Sequence, residues 1–293
     1  MGMQTEFIDR YAPANDSPIL VCLSFSAGSQ STAILEMVLR GELDRPDRFI
    51  VLCADPGMED SRSLVIRKYM LERCQAQGIS CKVVAGGDLF KDVIEGCRTG
   101  ERIDSPPLWT VDDAGKVGQL NQQCTQAYKI RPIKREVRKE LTAMGVKSLT
   151  DGCVEQWIGF AYDERRRVKP PDARYIQFRY PLIDRKLTRR DVSAMYRRWG
   201  IDEPPTSVCN ACFANGLDKF RWMYENDKAG WRQAVEFDNA LRGPNGVPGV
   251  KGTCYVSRTC LPLEELAALG FELPKEYRST KVDYSCDSGF CFL

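Results

Sequence analysis

The sequence predicts an α/β protein: an open, mostly parallel sheet with helices on both faces, followed by a smaller, mainly helical region that contains cysteines. Three observations carry this. Apolar strand-like runs alternate with helical-period segments through the first half of the chain. The connections between those runs are long enough for parallel crossovers. Beyond about residue 186 the alternation stops, and helical segments with scattered cysteines take over.

In chain order, "ILVCLSF" (19–25) reads as a buried strand and 30–40 as a helix. "FIVLCAD" (49–55) is a second strand, and "SRSLVIRKYMLERCQAQG" (61–78) is an amphipathic helix. "SCKVVAG" (80–86) is a third strand, with a short helix near 89–96. A loop rich in Gly, Pro and Asp (98–119) leads to a basic helix at 126–144, and "EQWIGFA" (155–161) reads as a fourth strand. "LTRRDVSAMYRRWG" (187–200) is a helix with Thr188 as N-cap and Asp191 at N3. Two further helices are expected at 216–226 and 228–242, then a Gly/Pro-rich loop at 242–252. The last 40 residues have little periodicity, and no internal repeat is present. The expected domains are therefore 1–186 and 187–293.

Composition narrows the chemistry. The chain has 293 residues, 43% hydrophobic and 28% charged, as in an ordinary globular protein. No apolar run reaches the ~18 residues needed to span a bilayer. The opening "MGMQTEFIDRYAPANDSP" lacks a basic-then-apolar signal, so the expected location is the cytoplasm, with no membrane partner. Net charge is only +2, yet twelve Lys/Arg against three Asp/Glu lie between Arg165 and Arg198. A second basic run, "YKIRPIKREVRK", occupies 128–139. Any one of these arginines reads as solvated surface, but the clustering points to a polyanionic partner, a nucleotide or a nucleic acid. Thirteen cysteines accompany no histidine. The absence of histidine excludes Ser-His-Asp and Cys-His catalysis and any His-ligated metal. Cys22, Cys53 and Cys153 sit within strand patterns and read as buried core.

The stretch "VCLSFSAGSQST" (21–32) is a strand, a tight Ser/Gly turn and a helix start. Such a turn presents backbone N–H groups and hydroxyls to an anion, or is simply a sharp corner. It is neither a Walker A loop nor a GxGxxG turn. It resembles the pyrophosphate loop of the PP-loop ATP pyrophosphatases (adenine nucleotide alpha hydrolases), usually Ser-Gly-Gly-x-Asp-Ser. The aligned residues are Ser26, Ala27, Gly28, Ser29, Gln30 and Ser31, with Ala27 at the usual first Gly and Gln30 at the usual Asp. "VLCADPGMED", "QQCTQAYKIRPIKREVR", "WIGFAYDERRRVK", "RYPLID", "SVCNACF" and "WMYENDKAGWRQAVEFDNALR" follow in the order of the phosphoadenosine-phosphosulfate-reductase-like subfamily of bacteria and phages. The resemblance covers roughly 18–242.

It implies a nucleotide-binding first domain in which Ser24, Ser26, Ala27, Gly28, Ser29, Gln30 and Ser31 hold the phosphates of ATP. A substrate oxygen attacks the α-phosphate and pyrophosphate leaves. Lys129 and Arg165 are then the candidate catalytic cations, with Arg131 and Arg166 as further phosphate binders. Asp55 is a candidate for Mg²⁺ or the ribose, or a strand-end turn residue. Asp163 and Glu164 are further metal candidates. "CNAC" pairs Cys209 with Cys212, two thiolates able to grip one metal. Cys286 and Cys291 in "CDSGFC" are the candidate third and fourth ligands, with Cys254, Cys260 and Cys124 as alternatives. Relatives in the wider family carry iron–sulfur clusters, which favours a [4Fe–4S] cluster over Zn²⁺. A redox-active or merely reduced pair is the plain alternative.

Three functions follow as expectations. The first is an ATP-dependent enzyme that adenylates a nucleotide or nucleic-acid substrate for modification such as sulfur transfer, with a sulfur-donor protein as a further partner. The second is a sulfonucleotide reductase with a C-terminal cysteine nucleophile, although "GFCFL" lacks the usual Glu-Cys-Gly-Leu-His tail. The third is a non-catalytic, metal-stapled module that binds nucleotide or nucleic acid.

Overall fold

The computed structural model describes residues 15–273. Five strands form one parallel sheet: β1 (Leu20–Ser24), β2 (Phe49–Ala54), β3 (Ser80–Val84), β6 (Val154–Trp157) and β7 (Ile176–Arg179), in the order β3-β2-β1-β6-β7. The chain steps outward from β1 to β3, then returns to the other side of β1. The switch point therefore lies between β1 and β6, the place where such sheets bind ligands beyond their carboxyl ends.

Both faces are covered, as the apolar runs require. On one face Val21, Leu23, Val51, Cys53 and Trp157 pack against α1 (Ser29–Leu39), α2 (Ser61–Ala76) and α6 (Arg189–Trp199). On the other, Leu20, Cys22, Ile50, Leu52, Val154 and Ile176 meet Ile133, Val137 and Leu141 of α4 (Arg131–Ala143). Cys22, Cys53 and Cys153 are buried here, and burial raises the thiol pKa of both Cys22 and Cys53 to about 12. These three sulfurs are packing groups.

A third core lies to one side. It joins α3 (Leu89–Thr99) to α7 (Leu217–Asn226), α8 (Lys228–Ala240) and α9 (Leu263–Ala268), with Met58, Leu108 and Tyr128 among its buried residues. A small antiparallel sheet, β5 (Val117–Gln119), β4 (Trp109–Val111) and β8 (Thr253–Tyr255), lies beside it. Packing crosses residue 186 in several places: α6 rests on the first half, α3 shares the third core with α7, α8 and α9, and β8 pairs with β4.

Several elements differ from the sequence reading. The fourth strand ends at Trp157; Ile158 N still donates to Arg179 O on β7 (2.9 Å), but residues 158–161 are not strand. β7, in "IQFR", and the three short antiparallel strands have no counterpart in the reading. The expected helix at 126–144 begins as a π-helix, Gln126–Ile130. Pro132 explains this: it has no N–H to donate to the Tyr128 carbonyl, and its ring crowds that turn. The capping box at Thr188 is formed, with Thr188 Oγ1 accepting from Asp191 N (3.3 Å) and Asp191 Oδ2 from Thr188 N (2.9 Å).

Candidate functional site

The turn after β1 closes on itself through hydroxyls. Ser26 and Ser31 Oγ lie 3.1 Å apart, Ser31 Oγ donates to Gly28 O (3.2 Å), and Ser26 N donates to Ser31 Oγ (3.3 Å). Ala27 has φ of 59°, the left-handed region that favours glycine. It is the position where the resemblance places glycine. Gly28 is the N-cap of α1 and closes the first turn with no side chain. The leading N–H groups of α1 therefore have no side-chain cap. Ser24 lies deeper, its hydroxyl accepting from Gln156 Nε2 on β6 at 2.6 Å.

Residues remote in sequence frame this loop. Gly159 packs so close that a Cβ there would stand 2.8 Å from Ser31 N. Ser207 covers the other side, its N lying 3.2 Å from the position of a Gly28 Cβ. Tyr196 donates to Ser29 O (2.6 Å), and Ser29 Oγ donates to Glu203 (2.7 Å).

Gln30 Nε2 donates to Glu164 Oε2 at 3.2 Å. Glu164 is buried, pairs with Arg167, and accepts from Ala161 N at 3.3 Å. This gives the amide a physical reason: aspartate at position 30 would turn a carboxylate towards a carboxylate already in place. Gln30→Asp is expected to cost about 1 kcal/mol at pH 8 from the lost hydrogen bond and the repulsion. Urea melts check this. Gln30→Asp/Glu164→Gln should recover most of the loss.

The other charged candidates are placed as follows. Asp55 accepts from Gly57 N (2.9 Å) and pairs with Arg67 (2.9 Å). Asp163 pairs with Arg189, accepting from its N and Nε at 3.1 Å each. Arg165 stacks on Tyr162 (4.8 Å) and donates to that residue's carbonyl (3.3 Å). Arg166 is exposed on the same 3₁₀ turn, Tyr162–Arg167. Arg131 is exposed on α4, 3.9 Å from Asp104, and lines a groove rather than the loop.

Lys129 stands differently. Partly buried on the π-helix, it lies 3.7 Å from Glu59, whose other oxygen accepts from Ser207 Oγ (3.3 Å). Lys129, Cys124, Cys209, Cys212 and Ser207 together line an apolar cavity of about 40 Å³. "CNAC" reaches it because Cys209 bridges Glu59 and Asn210 N donates to Met58 O (2.8 Å), which ties the segment to the turn after β2. Burial pushes the Cys209 thiol well above its usual range. Lys129 opposes that, while Glu59, Cys212 and Cys124 reinforce it. Burial raises Cys124 too, again against Lys129. The structure thus brings Cys209 and Cys212 to Cys124, the alternative ligand. Cys254 and Cys260 do not line this cavity. Cys286 and Cys291 lie outside the described residues.

The donor set does not yet amount to a metal centre. Among the described residues no group of three or more His, Cys, Asp or Glu could hold a metal ion. The sulfurs suit a soft metal in kind but not in number and spacing.

No family model and no curated protein matches the chain. Among solved structures it is similar to the U34-tRNA thiolase NcsA from Methanococcus maripaludis with its [4Fe-4S] cluster. The identity is 13%, over 94% of this chain and 89% of that one, at a TM-score of 0.38. That level of likeness transfers no residue and no activity. No helix among the described residues is long and apolar enough to cross a membrane.

Sequence reasoning missed Gly159, Ser207, Glu203 and Gln156. Only Gly159 carried a signal: a glycine inside an apolar strand pattern marks a close backbone approach.

Proposed function

We propose that the protein is a PP-loop enzyme, a nucleotide-dependent transferase that binds ATP on residues 24–31 and adenylates a substrate oxygen. The observation that carries this reading is the loop at the switch point, whose left-handed Ala27 and uncapped helix start aim backbone donors beyond the carboxyl end of β1. ATP bound there supplies its α-phosphate. The substrate oxygen forms a bond to that phosphorus, the bond to the β-phosphate oxygen breaks, and pyrophosphate leaves with the electron pair. Lys129 lines a cavity together with the covering segment and stands to offset charge on the leaving group or the incoming sulfur. Cys209, Cys212 and Cys124 are the groups facing the same space, and sulfur transfer is the modification their chemistry suits. A [4Fe–4S] cluster or Zn²⁺ on Cys209 and Cys212, with ligands supplied from Cys124, Cys286 or Cys291, belongs to this reading. Iron and zinc content of anaerobically purified protein tests it.

A second reading has its own observation. Asp55, Asp163 and Glu164, the carboxylates expected to hold Mg²⁺, are each paired with an arginine. That favours a module that binds nucleotide without cleaving it. Calorimetric ATP titration combined with pyrophosphate release in the presence of cellular RNA and DNA separates the two. Binding with release supports the enzyme, and binding without release supports the module. Absence of binding by folded protein overturns both. In the enzyme reading Lys129→Ala lowers release at least ten-fold while ATP affinity changes little.

A further inference from the structure

The clustered charges of the two basic runs suit a polyanionic partner, and the ATP loop draws only Lys129 from the first of them. The remaining charges of that run are segregated by α4. Glu136 and Glu140 both turn to Lys82 on β3, the first at 2.8 Å. Arg131, Lys134, Arg135, Arg138 and Lys139 line a groove of about 860 Å³, bounded on its far side by Asp172, Ala173 and Tyr175 before β7. Arg131 and Arg138 are two turns apart, so the cations run along about 10 Å of helix. The one acid in the groove, Asp172, is taken by Lys134, and Lys139 leans back to Glu136 (3.4 Å). Arg135 and Arg138 are exposed.

Tyr175 is the second, independent feature. It lines the groove at 7% exposure, and the Arg138 guanidinium carbon lies 5.3 Å from its ring centroid. Its hydroxyl is buried with no hydrogen-bond partner among the described residues. A buried hydroxyl without a partner is costly unless something outside the chain satisfies it. A row of cations, an arginine stacked on an aromatic ring and an unmatched donor suit a phosphodiester chain, which offers repeated anionic oxygens and flat bases.

We propose that the α4 groove binds the sugar-phosphate backbone of a single nucleic-acid strand, with Arg135 and Arg138 on phosphates and the Tyr175 hydroxyl on a backbone oxygen. This goes beyond the reading of the ATP loop, and the test keeps the two apart. Fluorescence anisotropy of the full chain with a labelled 20-nucleotide single-stranded RNA measures affinity from 50 to 300 mM salt. Arg135→Glu/Arg138→Glu is expected to weaken binding at least ten-fold. Arg135→Ala/Arg138→Ala should flatten the slope of log affinity against log salt by about 1.4, from two lost phosphate contacts on a single strand. Tyr175→Phe, which removes only the hydroxyl, should weaken binding two- to five-fold. ATP affinity of these variants, measured by calorimetry, stays that of the unaltered protein. The proposal is overturned if the unaltered protein binds no strand, or if all three variants bind as it does. It is also overturned if polyglutamate at equal charge displaces the RNA as well as unlabelled RNA does, since charge alone would then explain the groove.

Discussion

Gly159→Ala is expected to disable the phosphate loop although residue 159 makes no contact with nucleotide in the reading above. The added Cβ would lie 2.8 Å from Ser31 N, 3.1 Å from Ser31 Cα and 3.2 Å from Gln30 C. All three are backbone atoms of the first turn of α1, so no side chain can rotate out of the way. Either the turn after β6 moves outward or the start of α1 does, and both carry the loop with them. Overpacking of this kind costs about 1–3 kcal/mol, read by urea melts. The larger effect is functional: ATP affinity should fall at least ten-fold, because donors aimed at an anion lose their common focus. Gly28→Ala is the milder companion, since its Cβ meets Ser207 N at 3.2 Å rather than 2.8 Å. An ATP affinity for Gly159→Ala within two-fold of the unaltered protein would mean that residues 26–31 do not hold the phosphates.

Asp238→Ala should be the most destabilising single change in the C-terminal region. Asp238 is fully buried on α8 and accepts from Arg242 Nη2 (2.7 Å), Val256 N (3.0 Å) and Leu263 N (3.0 Å). One carboxylate thus joins α8 to the end of β8 and to the first turn of α9. Removing it leaves two buried amides without an acceptor and takes the shortest contact from Arg242, whose guanidinium keeps Asn239 Oδ1 (3.0 Å) and the Cys254 carbonyl (3.4 Å), a loss of about 3–5 kcal/mol. For a chain of this length that lowers the melting temperature by roughly 10 °C. Asp238→Asn keeps the shape and two acceptor directions at most, and should cost about 1–2 kcal/mol. Thermal melts followed by near-ultraviolet circular dichroism distinguish the two. A loss below 1 kcal/mol for the alanine variant would show that β8 and α9 dock without this carboxylate.

The difference between these two residues shows how far a linear reading reaches. Gly159 sits inside the run read as a strand at 155–161, a signal that the linear reading did not use. Nothing marked Asp238, since an acid three turns into an amphipathic helix reads as surface. Its three partners arrive from 4, 18 and 25 residues away. The strands divide the same way. β1 and β2 were legible as apolar runs buried at both faces of the sheet, and β3 as a shorter run that proves to be a half-exposed edge strand. β7, with four residues, and β4, β5 and β8, with three each, are too short to show any period. They are strands because a neighbour offers hydrogen bonds, not because of their own pattern.

By itself the sequence determined the α/β class, the strand–turn–helix at 20–39 and the buried cysteines of the sheet. Each of these depends on residues adjacent in the chain, through apolar period and backbone preference. It also pointed to the odd amide at position 30. Only the tertiary structure decided why that amide is tolerated, because its acceptor, Glu164, lies 134 residues away in the chain. Only it gathered Cys124 with Cys209 and Cys212, and split the basic helix into a face spent on Lys82 and a face open to a groove. The physical reason is the range of the interactions. Period and turn chemistry are fixed within a few residues, whereas the partner of a charge or a thiol is chosen by how whole helices pack.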